Sequence, residues 1–305
     1  MIIMYASFAV VLIALVLYIT LRRSDRMQYK LPDLPEVSVE EIDSIQIQSK
    51  TDGELKLSKS GSSWLIEPKG YKADDSAVQA MLDAVSNLTI TDLVSTSGYY
   101  DKYELDKENK MVINALNEDE VIASFDLGKR APSYNHTYIS VGDGKVYHAA
   151  TDLRRVFEKD VDSLRDKKVM SFLKEEIVRI EAVLPGSTIT LTKDTPAVGS
   201  GTESSSLSAT WKSASGDVWE TEVIDEFLGR VDDLSCSEFI DTPGPQEEPL
   251  LSLTLQGREQ YTLELLAEEE TGYRARSSQT PYEFYISAWQ GENILETFTL
   301  EESGE

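Results

Sequence analysis

A tryptophan-ended strand signal and an amphipathic helix recur in this chain at one fixed separation, and that recurrence constrains the fold more than any other feature. Met81, Leu82, Val85 and Leu88 form one apolar helical face, and Phe227, Leu228, Val231 and Leu234 stand 146 positions later in the same order. Trp64 maps onto Trp211 at an offset of 147, and Leu93 onto Phe239 at 146. Chance periodicity in a β-rich chain does not hold one offset across a tryptophan, a helix and the following strand, so the body reads as a duplication.

The strands around these landmarks follow from period-2 alternation. Ile45 and Ile47, the turn Thr51-Asp52-Gly53, then Leu55 and Leu57 read as a hairpin, followed by Ser63 to Ile66, which stops before Pro68. Asp74 is placed to cap a helix carrying Val78, Met81, Leu82, Val85 and Leu88, and a strand follows at Leu93 and Val94. In the second copy Ile180, Val183, Ile189 and Leu191 precede Trp211 and its helix; Ile45 is matched to Val178 at an offset of 133. The 13-residue change of offset is about the length of the Gly/Ser-rich run Thr195 to Ser208. Later strands are expected at Val112–Leu116, Val121–Leu127, Thr137–Val141 and Lys145–His148, with counterparts at Leu251–Leu255, Tyr261–Leu265, Tyr273–Arg276 and Phe284–Ala288. Val112 is matched to Leu251 and Tyr147 to Tyr285.

Before the body, Ile2 to Leu21 holds no charged residue, and twenty residues at about 1.5 Å each span a hydrocarbon core of about 30 Å. The run passes directly into Arg22 and Arg23 without a small-residue cleavage site, which favours an uncleaved anchor over a signal peptide. Pro32 and Pro35 mark an extended spacer. The expected architecture is therefore α+β: a transmembrane helix at 1–22, a spacer at 23–39, and two tandem β-rich repeats at 40–170 and 171–305. Each repeat is expected to be a mainly antiparallel sheet with one principal helix.

Composition excludes more than it selects. With 29 Lys and Arg against 54 Asp and Glu, the net charge of −25 leaves no basic stripe for a phosphate backbone, so no nucleic acid is expected as a partner. One cysteine, Cys236, rules out an intramolecular disulfide and a multi-thiolate metal site. His148 and Asp152 have i, i+4 spacing, yet His148 falls in an expected strand with no second histidine nearby in sequence, so a hairpin histidine is the better reading than a ligand. Gly142-Asp143-Gly144 lies between two strands and suits a hairpin turn; a phosphate cradle needs a helix directly after it. Asp74-Asp75 and Asp232-Asp233 suit helix ends, and Glu268-Glu269-Glu270 an acidic hairpin tip. No nucleotide-binding loop, nucleophile elbow or zinc signature is present, and no catalytic residue, metal or cofactor is expected. The aromatic residues Tyr99, Tyr100, Tyr134, Tyr138, Tyr282 and Trp289 are the candidates for a partner surface, against the plainer reading that they complete a β core.

Trp64-Leu65-Ile66-Glu67-Pro68, Ala73-Asp74 leading into Val78, Met81 and Leu82, Val146-Tyr147, and Asp162-Ser163-Leu164-Arg165-Asp166-Lys167 together resemble bacterial domain-of-unknown-function family 4340 over essentially the whole body, once per repeat. Two elements depart from the family pattern: Tyr103-Glu104-Leu105 stands where Tyr-Gly-Leu is usual, and Trp211 lacks the following proline. The resemblance implies an N-terminally anchored accessory subunit of a gliding-motility-type ABC transport system, beside its permease and auxiliary subunits, on the outer face of the inner membrane. It brings no active-site residues. Arg22, Arg23, Arg26 and Lys30 pull the other way, because positive-inside bias would leave the body cytoplasmic. A non-enzymatic scaffold is thus the leading expectation, an extracytoplasmic binding module for a polymer or peptide the alternative, and an uncharacterised hydrolase the third.

Overall fold

In a computed structural model of the protein, the described residues are 12–18, 29–50, 53–133, 135–194, 210–242, 244 and 247–299. The chain divides into two compact units, Met1–Arg165 and Asp166–Glu305. Most of the expected membrane helix lies outside the described residues. Residues 12–18 are helical and exposed, and no helix among the described residues is long and apolar enough to cross a membrane.

The first unit is built on β1 (Ser44–Ser49), β2 (Gly53–Ser60), β3 (Ser63–Glu67), β4 (Tyr71–Lys72), β5 (Ile90–Ser95), β6 (Met111–Asn117), β7 (Glu120–Arg130), β8 (Thr137–Ser140) and β9 (Val146–Ala149). They form one nine-stranded sheet in the order β4-β3-β2-β1-β6-β7-β8-β9-β5, with every pairing antiparallel. Alternation sets the buried side: Ile45 and Ile47 in β1 face inward beside Leu57, Ile113 and Phe125. The long helix α1 (Asp75–Ser86) begins where the Asp74 carboxylate accepts from the Ala77 N–H at 2.7 Å. Its buried face is Val78, Met81, Leu82 and Val85, at i, i+3, i+4 and i+7, and each such side chain contributes about 2 kcal/mol by burial. Leu88 was expected on this face, but the helix stops at Ser86, so Leu88 is half-buried beyond its end. The other helices here are short: α2 (Tyr100–Tyr103), α3 (Leu153–Phe157) and α4 (Val161–Leu164).

The second unit opens with β10 (Lys168–Met170), which pairs with β15 (Leu234–Ser235) in a sheet of its own. The large sheet contains β11 (Arg179–Leu184), β12 (Ser187–Asp194), β13 (Thr210–Ser213), β14 (Val218–Trp219), β16 (Glu238–Ile240), β17 (Leu251–Gln256), β18 (Gln260–Glu269), β19 (Gly272–Ser277) and β20 (Glu283–Ile286). Its order is β14-β13-β12-β11-β17-β18-β19-β20-β16, the same permutation as the first sheet. The helix α5 (Thr221–Val231) buries Ile224, Phe227, Leu228 and Val231, each 146 positions after its counterpart on α1. Leu234, like Leu88, falls past the helix, where it is buried in β15.

Pairing register refines the correspondence. Ile45 opposes Leu57 and Ala115, while Ile180 opposes Leu191 and Leu255, so Ile45 matches Ile180 and not Val178. Val178 precedes β11 and is 49% exposed. Met111 opposes Leu127 as Leu251 opposes Leu265, which moves the match for Val112 from Leu251 to Ser252. Tyr147 opposes Leu93 as Phe284 opposes Phe239, so its mate is Phe284 and not Tyr285. The offsets at Trp64 and Leu93 hold: Trp64 opposes Lys59 and Trp211 opposes Lys193. The loop invoked for the offset change, 195–208, lies outside the described residues.

The second unit also departs from one principal helix per copy. Where a strand was expected to run to Ala288, β20 ends at Ile286 and a second long helix, α6 (Ala288–Thr299), begins. Its buried face is Gly291, Ile294 and Phe298, and Phe298 meets Phe227 of α5 edge to face at 4.9 Å between ring centres. A face of only two large side chains and a glycine gives a weak periodic signal, which is why the sequence pattern did not reveal this helix.

Candidate functional site

In the first unit the expected aromatic candidates gather on the outer face of the sheet at its β8-β9-β5 end. Tyr138 opposes His148, and His148 opposes Asp92, so the three sit side by side across three strands. The loop that leaves the edge strand β5 returns over them. Tyr103 of α2 is buried and packs its ring on Tyr138, with 4.8 Å between ring centres. Leu105 and Val146 complete this small cluster, with Tyr100 and Val94 packed against it. The turn after α2 closes at Glu104, which takes the left-handed conformation at φ 56°, one that favours glycine.

The close seat of this loop depends on Gly128. A Cβ there would lie 2.2 Å from the Tyr103 carbonyl oxygen, so no side chain fits. Arg154 of α3 fastens the same region, its Nε donating to the Gly128 carbonyl at 2.7 Å and its Nη2 to that of Asn109 at 3.1 Å. The result is a fixed ledge on which Tyr99 is 70% exposed. Tyr99, Tyr100 and Tyr138 are thus brought to one region, while Tyr134 lies outside the described residues.

The two histidines of the chain, His136 and His148, meet behind this ledge. Sequence reasoning placed no second histidine near His148, yet their ring centres are 5.7 Å apart. The reason is topological: His136 precedes β8 and His148 lies on β9, so the hairpin folds a twelve-residue separation back onto itself. The His148 ring also packs 4.8 Å from Tyr138, and its Nδ1 lies 4.0 Å from the Asp92 carboxylate. Its Nε2 is buried without a hydrogen-bond partner. Burial, then the charge of His136, lower the His148 pKa, and Asp92 opposes this only in part. His136 Nδ1 lies 2.9 Å from the Ser133 hydroxyl. Asp152, the other half of the weighed i, i+4 pair, caps α3 and pairs with Arg130 at 3.0 Å. Among the described residues no group of three His, Cys, Asp or Glu side chains is placed to hold a metal ion.

The same register positions in the second unit carry different chemistry. Arg274 opposes Tyr285, and Tyr285 opposes Glu238, matching Tyr138, His148 and Asp92. Arg274 is buried and reaches Glu247 at 2.7 Å, Glu269 at 3.7 Å and Glu283 at 3.9 Å. Glu283 is buried too. It accepts from Arg276 and, at 3.1 Å, from the Gly244 N–H, which ties down the loop after β16. Burial raises the Glu283 pKa, but these hydrogen bonds and the two guanidinium charges outweigh it and hold the carboxyl below its usual range. Of the remaining aromatic candidates, Tyr282 packs edge to face on Phe239 at 6.1 Å, whereas Trp289 is 64% exposed at the start of α6.

One family model, described as a domain of unknown function (DUF4340), matches residues 64–253, more than half of the chain. The chain belongs to the DUF4340 family. The match is one continuous span from Trp64 in β3 to Leu253 in β17, where the sequence resemblance was expected once per repeat. No curated protein and no solved structure matches the chain. The residues that carry the DUF4340 resemblance build the scaffold. The Asp74 N–H donates to the Leu164 carbonyl at 2.8 Å, Ala73 bridges to Arg165, and the Arg165 guanidinium lies 3.8 Å from the centre of the Tyr71 ring. Lys167 continues the motif in the second unit, where its carbonyl accepts from the Cys236 N–H at 2.8 Å.

Proposed function

We propose that this DUF4340 protein is a membrane-anchored, non-enzymatic accessory or scaffold subunit of an ABC-type transport complex, with residues 1–22 as a single-pass anchor in the inner membrane and an extracytoplasmic body. Family membership supports the class. The observation that carries the contact surface is Tyr99, a large aromatic side chain 70% exposed on a ledge fixed by Tyr103, Gly128 and Arg154. Rigid exposed aromatics are what binding hot spots are made of, because they bury area at little entropic cost. The partner in this reading is a permease or auxiliary subunit.

A photo-crosslinking amino acid at Tyr99, in native membranes, captures a transporter subunit, while the same group at Val218, which is 65% exposed in the second unit, captures less. Equal capture at both positions, or a strictly monomeric protein after crosslinking, refutes the surface. Topology is tested by an impermeant thiol reagent. Cys236 is buried at 5% exposure and is a poor target, so Glu270→Cys at an exposed hairpin tip is the probe. Labelling that appears only after the inner membrane is broken places the body in the cytoplasm, as the charges after the anchor favour. Trp289, 64% exposed, supports a second reading as a module that binds a polymer or peptide. Binding by the full chain in detergent with no transporter subunit present, lost in Trp289→Ala, selects that reading.

A further inference from the structure

The two histidines sit where they can control the ledge. We propose that the His136–His148 pair is a proton-operated latch: neutral rings hold the Tyr99–Tyr103 segment on the sheet, and protonation of both loosens it. This concerns the regulation of the surface proposed above and rests on that reading for its biological meaning.

The latch is a continuous run of rings. His136 meets His148 at 5.7 Å, His148 meets Tyr138 at 4.8 Å, and Tyr138 meets Tyr103 at 4.8 Å. Tyr103 belongs to α2, a four-residue helix with no side-chain cap hydrogen bond. A helix that short does not stand alone in water, so its place depends on the packing beneath it.

The charged and titratable groups around His148 come from each packed element. β5 supplies Asp92, the segment before β8 supplies His136, and β8 supplies Tyr138. Lys102 lies 5.7 Å from the Tyr103 ring centre at the far end of the run. One proton is tolerable here, since the Tyr138 face and the Asp92 carboxylate both favour a cation. The Asp92 side chain is 58% exposed, however, and solvent screens it. A second proton places two like charges across 5.7 Å, with His148 Nε2 buried and without a partner. Burial and the neighbouring histidine both favour neutral His148, so acid works against the packed arrangement.

The duplication supplies an internal control. In the second unit the positions of His148 and Tyr138 are Tyr285 and Arg274, so no imidazole stands at either.

The test uses the full chain in detergent. With labelled histidine the two rings give two NMR signals, followed from pH 8 to 5, and hydrogen exchange of residues 96–106, corrected for intrinsic rate, is measured across the same range. His148 is expected to titrate below its ordinary value of 6.5, and protection of 96–106 to fall about tenfold or more by pH 5. His148→Phe keeps a ring without a charge and is expected to abolish that pH dependence. Should that variant fail to fold, His136→Gln serves: it removes the second charge, raises the His148 midpoint and flattens the loss of protection. Protection that is unchanged while His148 titrates, or that falls equally in the variants, overturns the latch. The measurement needs no partner, so failure of the latch and failure of Tyr99 crosslinking are independent results.

Discussion

Gly291→Ala sets two effects of opposite sign against each other. Alanine is the better helix former, by about 1 kcal/mol in a helix interior, and Gly291 lies inside α6. Propensity alone therefore predicts stabilisation. Packing predicts the reverse, because a Cβ at Gly291 would meet Tyr273 at 2.1 Å (Cδ2), 2.5 Å (Cγ) and 2.7 Å (Cε2). Contact between carbon atoms is comfortable only at about 3.5 Å or more, so the ring or the helix must move by about 1 Å. The ring has little freedom, since Tyr273 is 5% exposed within the core of the second unit. The helix is held by Ile294 and Phe298, each 1% exposed.

Overpacking of this kind costs about 1–3 kcal/mol, which exceeds the propensity gain over most of that range. The expected net effect is destabilisation by about 1–2 kcal/mol, a fall in Tm of several degrees for a unit of this size. Urea unfolding followed by tryptophan fluorescence measures it, because Trp211 and Trp219 belong to the same core. Tyr273→Leu removes ring atoms from the clash, so Gly291→Ala should be milder in that background by about 1 kcal/mol. A stabilised Gly291→Ala, or the same cost in both backgrounds, refutes the claim that this contact seats α6.

Three further outcomes follow from the geometry. Trp64→Ala should cost about 3–5 kcal/mol in chemical unfolding, because Trp64 is only 7% exposed; an unchanged midpoint would make it a surface residue. Asp74→Ala should cost about 0.5–2 kcal/mol through loss of the cap to Ala77, whereas Asp75→Ala, at an exposed neighbour, should cost less. The Glu283 carboxyl is held below its ordinary 4.5, so its contribution is complete above that pH and is lost as pH falls through the lowered value. Unfolding midpoints measured from pH 5 to 3 should show this slope in the wild type and a flatter one in Glu283→Gln, which itself costs about 1–3 kcal/mol at neutral pH by weakening the charge-assisted hydrogen bonds from Arg276 and the Gly244 N–H.

What the sequence disclosed depended on how far apart the interacting residues lie. Helix faces at i, i+3 and i+4 are local, so Val78, Met81, Leu82 and Val85 were legible, as were their mates on α5. Alternation located the strands, but it carries no information on pairing partners. It therefore left the first-strand match at Val178, two residues from the position that the ladder with Leu191 and Leu255 selects. The histidine pair was invisible for the same reason, since bringing His136 to His148 takes the hairpin register that sets Tyr138 against His148. The Arg274–Glu283 network was missed because its members come from a loop and three strands, and each charge reads as solvated in isolation.

The divergence of the two copies is itself an argument about function. One sheet position, used twice, holds Tyr138 with His148 in the first unit and Arg274 with Tyr285 in the second. A buried arginine with three carboxylates around it closes the second loop by charge-assisted contacts, and the Glu283 carboxyl among them is held below its usual range. Ring packing around two histidines closes the first loop, and burial together with the neighbouring His136 pushes the His148 pKa down, so in the latch proposed above these contacts answer to acid. If shape alone had been kept, either chemistry would have served at both sites. The copy that carries the histidine closure is also the one whose loop presents Tyr99 to solvent. Exchanging the closures tests whether that coincidence matters: Tyr138→Arg with His148→Tyr in the first unit should weaken crosslinking at Tyr99, and should do so without the pH dependence expected of the native pair.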